Sequence, residues 1–208
     1  MACRQTSIRV VIMESTLTNL DKYNIILASN SPRRRELLAM LGLSFKTRVM
    51  NDIDESYPLD MPADEIASFI SKKKATAYSQ SMSDNELIIT ADTVVVCGDE
   101  VLGKPADEDD ACRMLRMLSG KAHKVITGVT ITTKFLTESF SCVTEVDFDD
   151  LTDEEINYYV TTYRPFDKAG AYGIQEWIGA IGVTGMRGSY YNVMGLPVQR
   201  LYRTLLKF

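Results

Sequence analysis

The segment Thr90-Ala91-Asp92-Thr93-Val94 sets an ionisable side chain inside apolar β sequence. A carboxylate there is costly unless it is paired, hydrogen-bonded or bound to metal. Asp92 therefore reads either as an acid satisfied by turn N–H groups or as a metal ligand or general base. Two further carboxylates, Asp54 and Glu55, lie in the acidic stretch 51–58 and would join it at a divalent cation. A second chemical element lies upstream in Ser29-Asn30-Ser31-Pro32-Arg33-Arg34-Arg35. Its three arginines fall in the first turn of a predicted helix, where the macrodipole disfavours a cation by roughly 0.3–1 kcal/mol. Free N–H groups at a helix start already bind anions, and guanidinium forks match phosphate oxygens. A solvated basic turn and a phosphate site are the two readings; the position straight after a buried strand favours the second.

Three lysines extend the basic set. Lys74 ends the run Lys72-Lys73-Lys74, Lys104 lies in Leu102-Gly103-Lys104-Pro105, and Lys168 lies in Asp167-Lys168-Ala169-Gly170. Singly each reads as a solvated surface charge; with the arginines they supply several phosphate contacts. The segments 167–175 and 188–197 carry aromatic rings, the amide of Gln175 and recurrent glycines. These are parts that can stack on a base and read its edge; either segment alone reads rather as a glycine-rich turn region with core tyrosines.

The elements that position these groups follow from periodicity. An apolar run at 25–28 turns at small polar residues into a helix capped by Ser31, with Pro32 at its first position and Gly42 beyond its end. A strand at 45–50, a long helix over 62–81, a short strand at 87–91 running into Asp92, and a hairpin through 93–102 come next. A helix spans 107–118, strands at 124–133 and 139–148 pair as neighbours, and a capping box opens a helix over 152–161. Residues 163–197, with seven glycines, read as strands and tight loops, and a final helix covers 198–206.

Composition narrows the classes. The chain has 208 residues, 45% hydrophobic and 25% charged, as expected of one globular domain. Its net charge of −5 gives no long-range basic field, so nucleic acid is not an expected partner and any anion must be held locally. No apolar run approaches the roughly 20 residues that span a bilayer. Residues 1–23 read as a loosely ordered leader without a signal-peptide core, and Met13 serves equally as a start. The four cysteines lie far apart without a C-x-x-C pair, which argues against a zinc site or disulfide framework and for a cytoplasmic location. With one histidine, His123, mechanisms needing two are excluded.

Taken together, five segments in order resemble the Maf family of nucleoside triphosphate pyrophosphatases: Ala28-Ser29-x-Ser31-Pro32-Arg33-Arg34-x-x-Leu37-Leu38; Ala91-Asp92-Thr93-Val94; Lys104-Pro105 with Leu118-Ser119-Gly120; residues 167–175; and Gly195-Leu196-Pro197. The resemblance covers about residues 24–206. It implies an α/β fold of Maf/ITPase-like type, with an extended mixed β-sheet, flanking helices and two lobes around a central cleft, in a single domain over 24–208, often as a homodimer. It further implies hydrolysis of a nucleoside triphosphate to monophosphate and pyrophosphate with Mg²⁺ or Mn²⁺, clearing nucleotides from the pool. Lys168 and Gln175 are similar to the branch acting on dTTP and UTP rather than the branch acting on 7-methyl-GTP. By that likeness Asp92 is the proton acceptor; Ser29, Arg33, Arg34, Lys74, Thr93, Lys104, Lys168 and Gln175 contact substrate, with Gln175 at the pyrimidine edge. The metal falls to Asp92 with Asp54 or Glu55. Arg35 and Asp54 depart from the family pattern. A nucleotide-binding regulator of cell division without turnover is the alternative; such a protein would not need Asp92 together with those acids.

Overall fold

The fold is that of a computed structural model, which describes residues 16–51 and 53–208. A 3₁₀ turn, Thr18–Leu20, leads into β1 (Asn24–Leu27), α1 (Pro32–Ala39), β2 (Phe45–Thr47), α2 (Ala63–Ser79), β3 (Glu86–Cys97) and β4 (Glu100–Leu102). Then come α3 (Glu108–Leu118), β5 (Ala122–Thr132), β6 (Thr137–Phe148), α4 (Asp153–Tyr163), α5 (Trp177–Gly182), β7 (Val183–Arg187), α6 (Tyr190–Val193) and α7 (Val198–Leu205). The sheet is mixed, in the order β2-β1-β3-β5-β6-β7, with β4 on the free edge of β3. β1 pairs parallel with both β2 and β3, and every other pairing is antiparallel. No helix among the described residues is long and apolar enough to cross a membrane.

Local chemistry accounts for the starts of three helices. Ser31 accepts the Arg34 N–H and Pro32 occupies the first position of α1. Asp107 caps α3, whose first turn is acidic, and Thr152 with Glu155 forms a full capping box on α4. β3 differs from the sequence reading. Asp92 does not interrupt it; twelve residues run through as one strand because β5 pairs with it continuously from Ile88 to Val96.

Two lobes share this sheet. In one, Leu37 and Leu38 of α1 and Leu201 and Leu205 of α7 pack on Leu27, Leu87 and Ile89. In the other, Leu115, Ile156, Tyr159 and Ile178 pack on Val95, Val125 and Val146. Helix α2 covers the opposite face, with Ile66, Ala67 and Ile70 against Val94, Val96 and Ile126. The expected loose leader does not extend through residue 23: Leu17 and Leu20 are buried in the first lobe, and Asn19 donates to the Leu205 carbonyl at 2.9 Å. Residues 1–15 lie outside the described residues.

The glycine-rich stretch also departs from expectation. It holds one strand, β7, a 3₁₀ turn at Ala169–Ala171, and the short helices α5 and α6. The close backbone approach that glycines permit is present, mostly outside strands. A Cβ at Gly179 would meet the Ile174 carbonyl oxygen at 2.0 Å, and Gly170 takes φ +68°.

Gly128 of β5 lies opposite Asp92, and a Cβ there would stand 2.3 Å from the backbone of Ala67 and Ser68. The missing side chain lets α2 ride low over the sheet, where Thr90 Oγ1 donates to the Ser71 carbonyl at 2.8 Å. Gly128→Ala is expected to lift α2 and lower stability by about 1–3 kcal/mol, read as a fall of several degrees in Tm.

His123, on β5, is buried between the rings of Phe148 and Tyr172, with Nε2 2.8 Å from the Tyr172 hydroxyl. Burial pushes its pKa down to about 4. The unfolded chain takes up this proton near pH 6.5 while the folded chain refuses it, so stability falls as pH drops through that window. Between pH 7 and 5 this histidine accounts for a loss of about 2 kcal/mol. Denaturant titrations of His123→Gln at the two pH values should show that much less pH dependence than the parent.

Candidate active site

β3 changes partners along one edge. β1 accompanies it as far as Leu27 opposite Ile89, the Ala28 N–H reaches the Ile89 carbonyl, and β4 resumes only at Leu102 opposite Val95. Arg34 fills the interval. Its guanidinium donates to the Ala91 carbonyl at 2.7 Å, the Gly195 carbonyl at 2.9 Å and Thr93 Oγ1 at 3.1 Å. Burial lowers its pKa, and the charges of Asp92 and Glu55 pull against that. Thr93 is in turn bonded to Thr127, whose hydroxyl donates to the Asn192 carbonyl.

A cleft of about 390 Å³ opens over this interval, lined among others by Ser29, Arg33, Arg34, Glu55 and Lys74. Asp92, Thr93, Lys104, Lys168 and Gln175 line it as well. Asp92, 14% exposed at its side chain, faces the α2 side of the sheet, where Lys74 Nζ meets its Oδ1 at 2.7 Å. The same nitrogen lies 3.0 Å from Glu55 Oε1. Asp54 turns elsewhere. Lys73, then the Ser56 hydroxyl and N–H, hold its carboxyl far below the usual carboxylate range, and it does not line the cleft. Of the two acids in that loop, the geometry sets Glu55 beside Asp92 and leaves Asp54 outside.

The arginine triplet divides similarly. Arg33 lines the cleft and pairs with Asp167 at 2.7 Å, Arg34 also lines it but commits three of its five N–H donors to protein acceptors, and Arg35 is exposed outside the cleft. A common phosphate partner for all three is therefore not the reason for the cluster. Ser29 Oγ accepts the Ser31 N–H at 3.2 Å and shapes the turn before α1. Lys104 is exposed on the cleft wall, and the neighbouring Gly103 carbonyl accepts the Gly170 N–H, which ties its loop to that of Lys168. Lys168 is buried between two carboxylates, Asp167 at 2.7 Å and Glu176 at 3.1 Å. Burial works to raise the pKa of Asp167, but Lys168 and Arg33 outweigh it and hold the carboxyl below its ordinary value.

Sequence reasoning assigned no role to Asp167 or Glu176. The available signal was an acid directly beside each candidate, Asp167 before Lys168 and Glu176 after Gln175. Tyr172 is not a free stacking face, since its ring is buried against His123 and Phe148.

The donor set fits a divalent cation of the Mg²⁺ type. Among the described residues no group of three or more His, Cys, Asp or Glu could hold a metal alone. Two carboxylates, Asp92 and Glu55, nevertheless converge on one cationic nitrogen. Mg²⁺ is commonly held by one or two carboxylates, with water and substrate phosphates completing its shell.

The family model described as Maf-like protein matches residues 24–208. The chain belongs to the Maf family. It is 59% identical over 191 residues to a protein of Phocaeicola vulgatus named dTTP/UTP pyrophosphatase, covering 92% of this chain and 99% of that one. A relative of the same name from Bacteroides thetaiotaomicron is 56% identical, again over 92% and 99%. Among solved structures, a HAM1 protein from Coxiella burnetii gives a TM-score of 0.43 at 12% identity, over 89% of this chain and 100% of that one, a distant likeness only. Each Maf segment quoted above sends a side chain or backbone group into the cleft, apart from Leu118-Ser119-Gly120, which closes α3.

Arg34 is the structural member of the basic set. Arg34→Lys replaces a fork serving three acceptors with a single point charge and is expected to lower unfolding free energy by about 2 kcal/mol. Arg35→Ala should change it by less than about 0.5 kcal/mol. Urea titrations of the two variants check the contrast.

Proposed function

We propose that this chain hydrolyses dTTP and UTP to the nucleoside monophosphate and pyrophosphate, using a divalent cation, Mg²⁺ or Mn²⁺. The observation that carries the reading is a mostly buried carboxylate, Asp92, sharing one cleft with Arg33, Lys74, Lys104 and Lys168. A triphosphate carries enough negative charge to engage that many cations, and a protein of net charge −5 must concentrate them locally to bind one. The name dTTP/UTP pyrophosphatase on relatives 56–59% identical supports the same substrate class.

In the reaction Asp92 takes the proton of the attacking water. Lys74 engages its Oδ1, which leaves Oδ2 as the acceptor. The water oxygen bonds to the α-phosphorus as the bond to the bridging oxygen breaks, and pyrophosphate departs. Arg33, Lys104 and Lys168 meet the charge that develops on the phosphate oxygens. Asp92 and Glu55 would hold the divalent cation, which supplies Lewis acidity at those oxygens when bound. Arrival of the triphosphate gives Lys74, already paired with Asp92 and Glu55, a third anionic partner within reach of its ammonium.

Asp92→Asn removes the proton acceptor while keeping size and shape. It should lower kcat for pyrophosphate release from UTP by about 10²–10⁴, followed with Mg²⁺ or Mn²⁺ present. Release of orthophosphate rather than pyrophosphate by the parent protein would contradict attack at the α-phosphorus.

A further inference from the structure

The carboxylate of Glu176 collects donors from three places. Oε2 accepts the Tyr159 hydroxyl of α4, and Oε1 lies 3.1 Å from Lys168 Nζ and 3.5 Å from Gln175 Nε2. Tyr159 is fully buried and its oxygen already accepts the Gly173 N–H at 3.0 Å, so its one proton is committed to Glu176. Gly173 makes the arrangement fit: a Cβ there would stand 2.8 Å from both Glu176 Cδ and Gln175 Nε2. Glu176 is thus held in place with a donor on each oxygen, and serves all three neighbours as an acceptor. Beside it Gln175 must turn its NH₂ toward the carboxylate, because the opposite flip would set carbonyl oxygen against carboxylate oxygen. The carbonyl oxygen is then what Gln175 offers to the cleft it lines.

We propose that Glu176 sets the choice among pyrimidines by fixing the amide of Gln175 with its carbonyl outward, as an acceptor for the imide N3–H of uracil and thymine. The inference rests on the reading that the cleft takes pyrimidine nucleoside triphosphates. Cytosine carries a bare acceptor at N3, so lone pairs would face each other there. An unconstrained glutamine serves either edge by flipping its amide; the neighbouring carboxylate removes that freedom. Uracil and thymine share the N3–H edge and differ only at C5, so one device accepts both.

The test compares kcat/KM for pyrophosphate release from UTP and CTP, together with calorimetric affinities for the α,β-imido analogues of both. The proteins are the parent, Glu176→Gln, Gln175→Leu and the double variant. The parent should favour the uracil nucleotide in both measurements. Glu176→Gln, isosteric but able to donate as well as accept, should lower the UTP/CTP ratio about tenfold, whatever happens to absolute rates through Lys168. Gln175→Leu should lower the ratio comparably, and adding Glu176→Gln to it should move the ratio no further. An equal loss on UTP and CTP in Glu176→Gln, or an unchanged ratio in Gln175→Leu, overturns the proposal and reduces Glu176 to a support for Lys168. A parent that releases no pyrophosphate overturns the proposed reaction instead, and the affinity ratio still decides the role of Glu176.

Discussion

Asp92 stands midway along β3, a twelve-residue strand, mostly buried, where an unpaired carboxylate would cost several kcal/mol or give up its charge. Lys74 answers it at 2.7 Å, and much of the architecture serves to bring that ammonium there. Lys74 reaches the site only because α2 crosses the sheet low, over Gly128 and through the hydrogen bonds of Ser71 to Thr90 and Thr130. Glu55 completes the arrangement from the loop before α2, giving two negative charges to one positive. The surplus suits a further cation, and the reach of Lys74 suits an arriving phosphate.

The rest of the cleft repeats this alternation of sign. Arg33 is bound to Asp167, Asp167 to Lys168, Lys168 to Glu176, and Glu176 to the hydroxyl of Tyr159. Cations held this way keep their positions without ligand, so little side-chain entropy remains to be lost when phosphate arrives. The same pairing sets a threshold. An incoming anion must replace carboxylate partners, which a triphosphate, touching several cations at once, does far better than a singly charged ion. For the proposed reaction, a preference for polyphosphate would follow from competition inside the cleft, while the protein as a whole carries a net charge of −5.

What could be read in the sequence was what local chemistry decides. The start of α1 at Ser31-Pro32, the capping box of α4 and the pairing of β5 with β6 each follow from residues close in the chain. The choice of Glu55 over Asp54 was not legible, because it turns on Lys73, nineteen residues away but adjacent once α2 forms. The role of Arg34 depends on a gap between β1 and β4 that exists only in the assembled sheet. Over residues 163–197 glycine spacing misled as to strands, since Gly173 lies in the loop before α5 against the side chains of Gln175 and Glu176 and Gly179 lies within α5, and a glycine fitting under a carbonyl looks the same in sequence as one inside a strand.

The identity of the site is finally a matter of strand register. Successive side chains of β3 point to opposite faces, so Asp92 meets Lys74 on the α2 side while Thr93 meets Arg34 on the other. A slip of one residue would exchange them, burying a carboxylate beside carbonyl oxygens and offering a hydroxyl to the lysine. Three independent constraints forbid the slip. β1 pairs with residues 86–89 at one end, Thr90 is bonded to α2 in the middle, and the glycine across from Asp92 must lie under Ala67. Each fixes the same alignment from a different element. The chemistry at position 92 is therefore carried by the whole sheet, and the short β1 and β4, by stopping where they do, leave the one stretch of β3 that a ligand can approach.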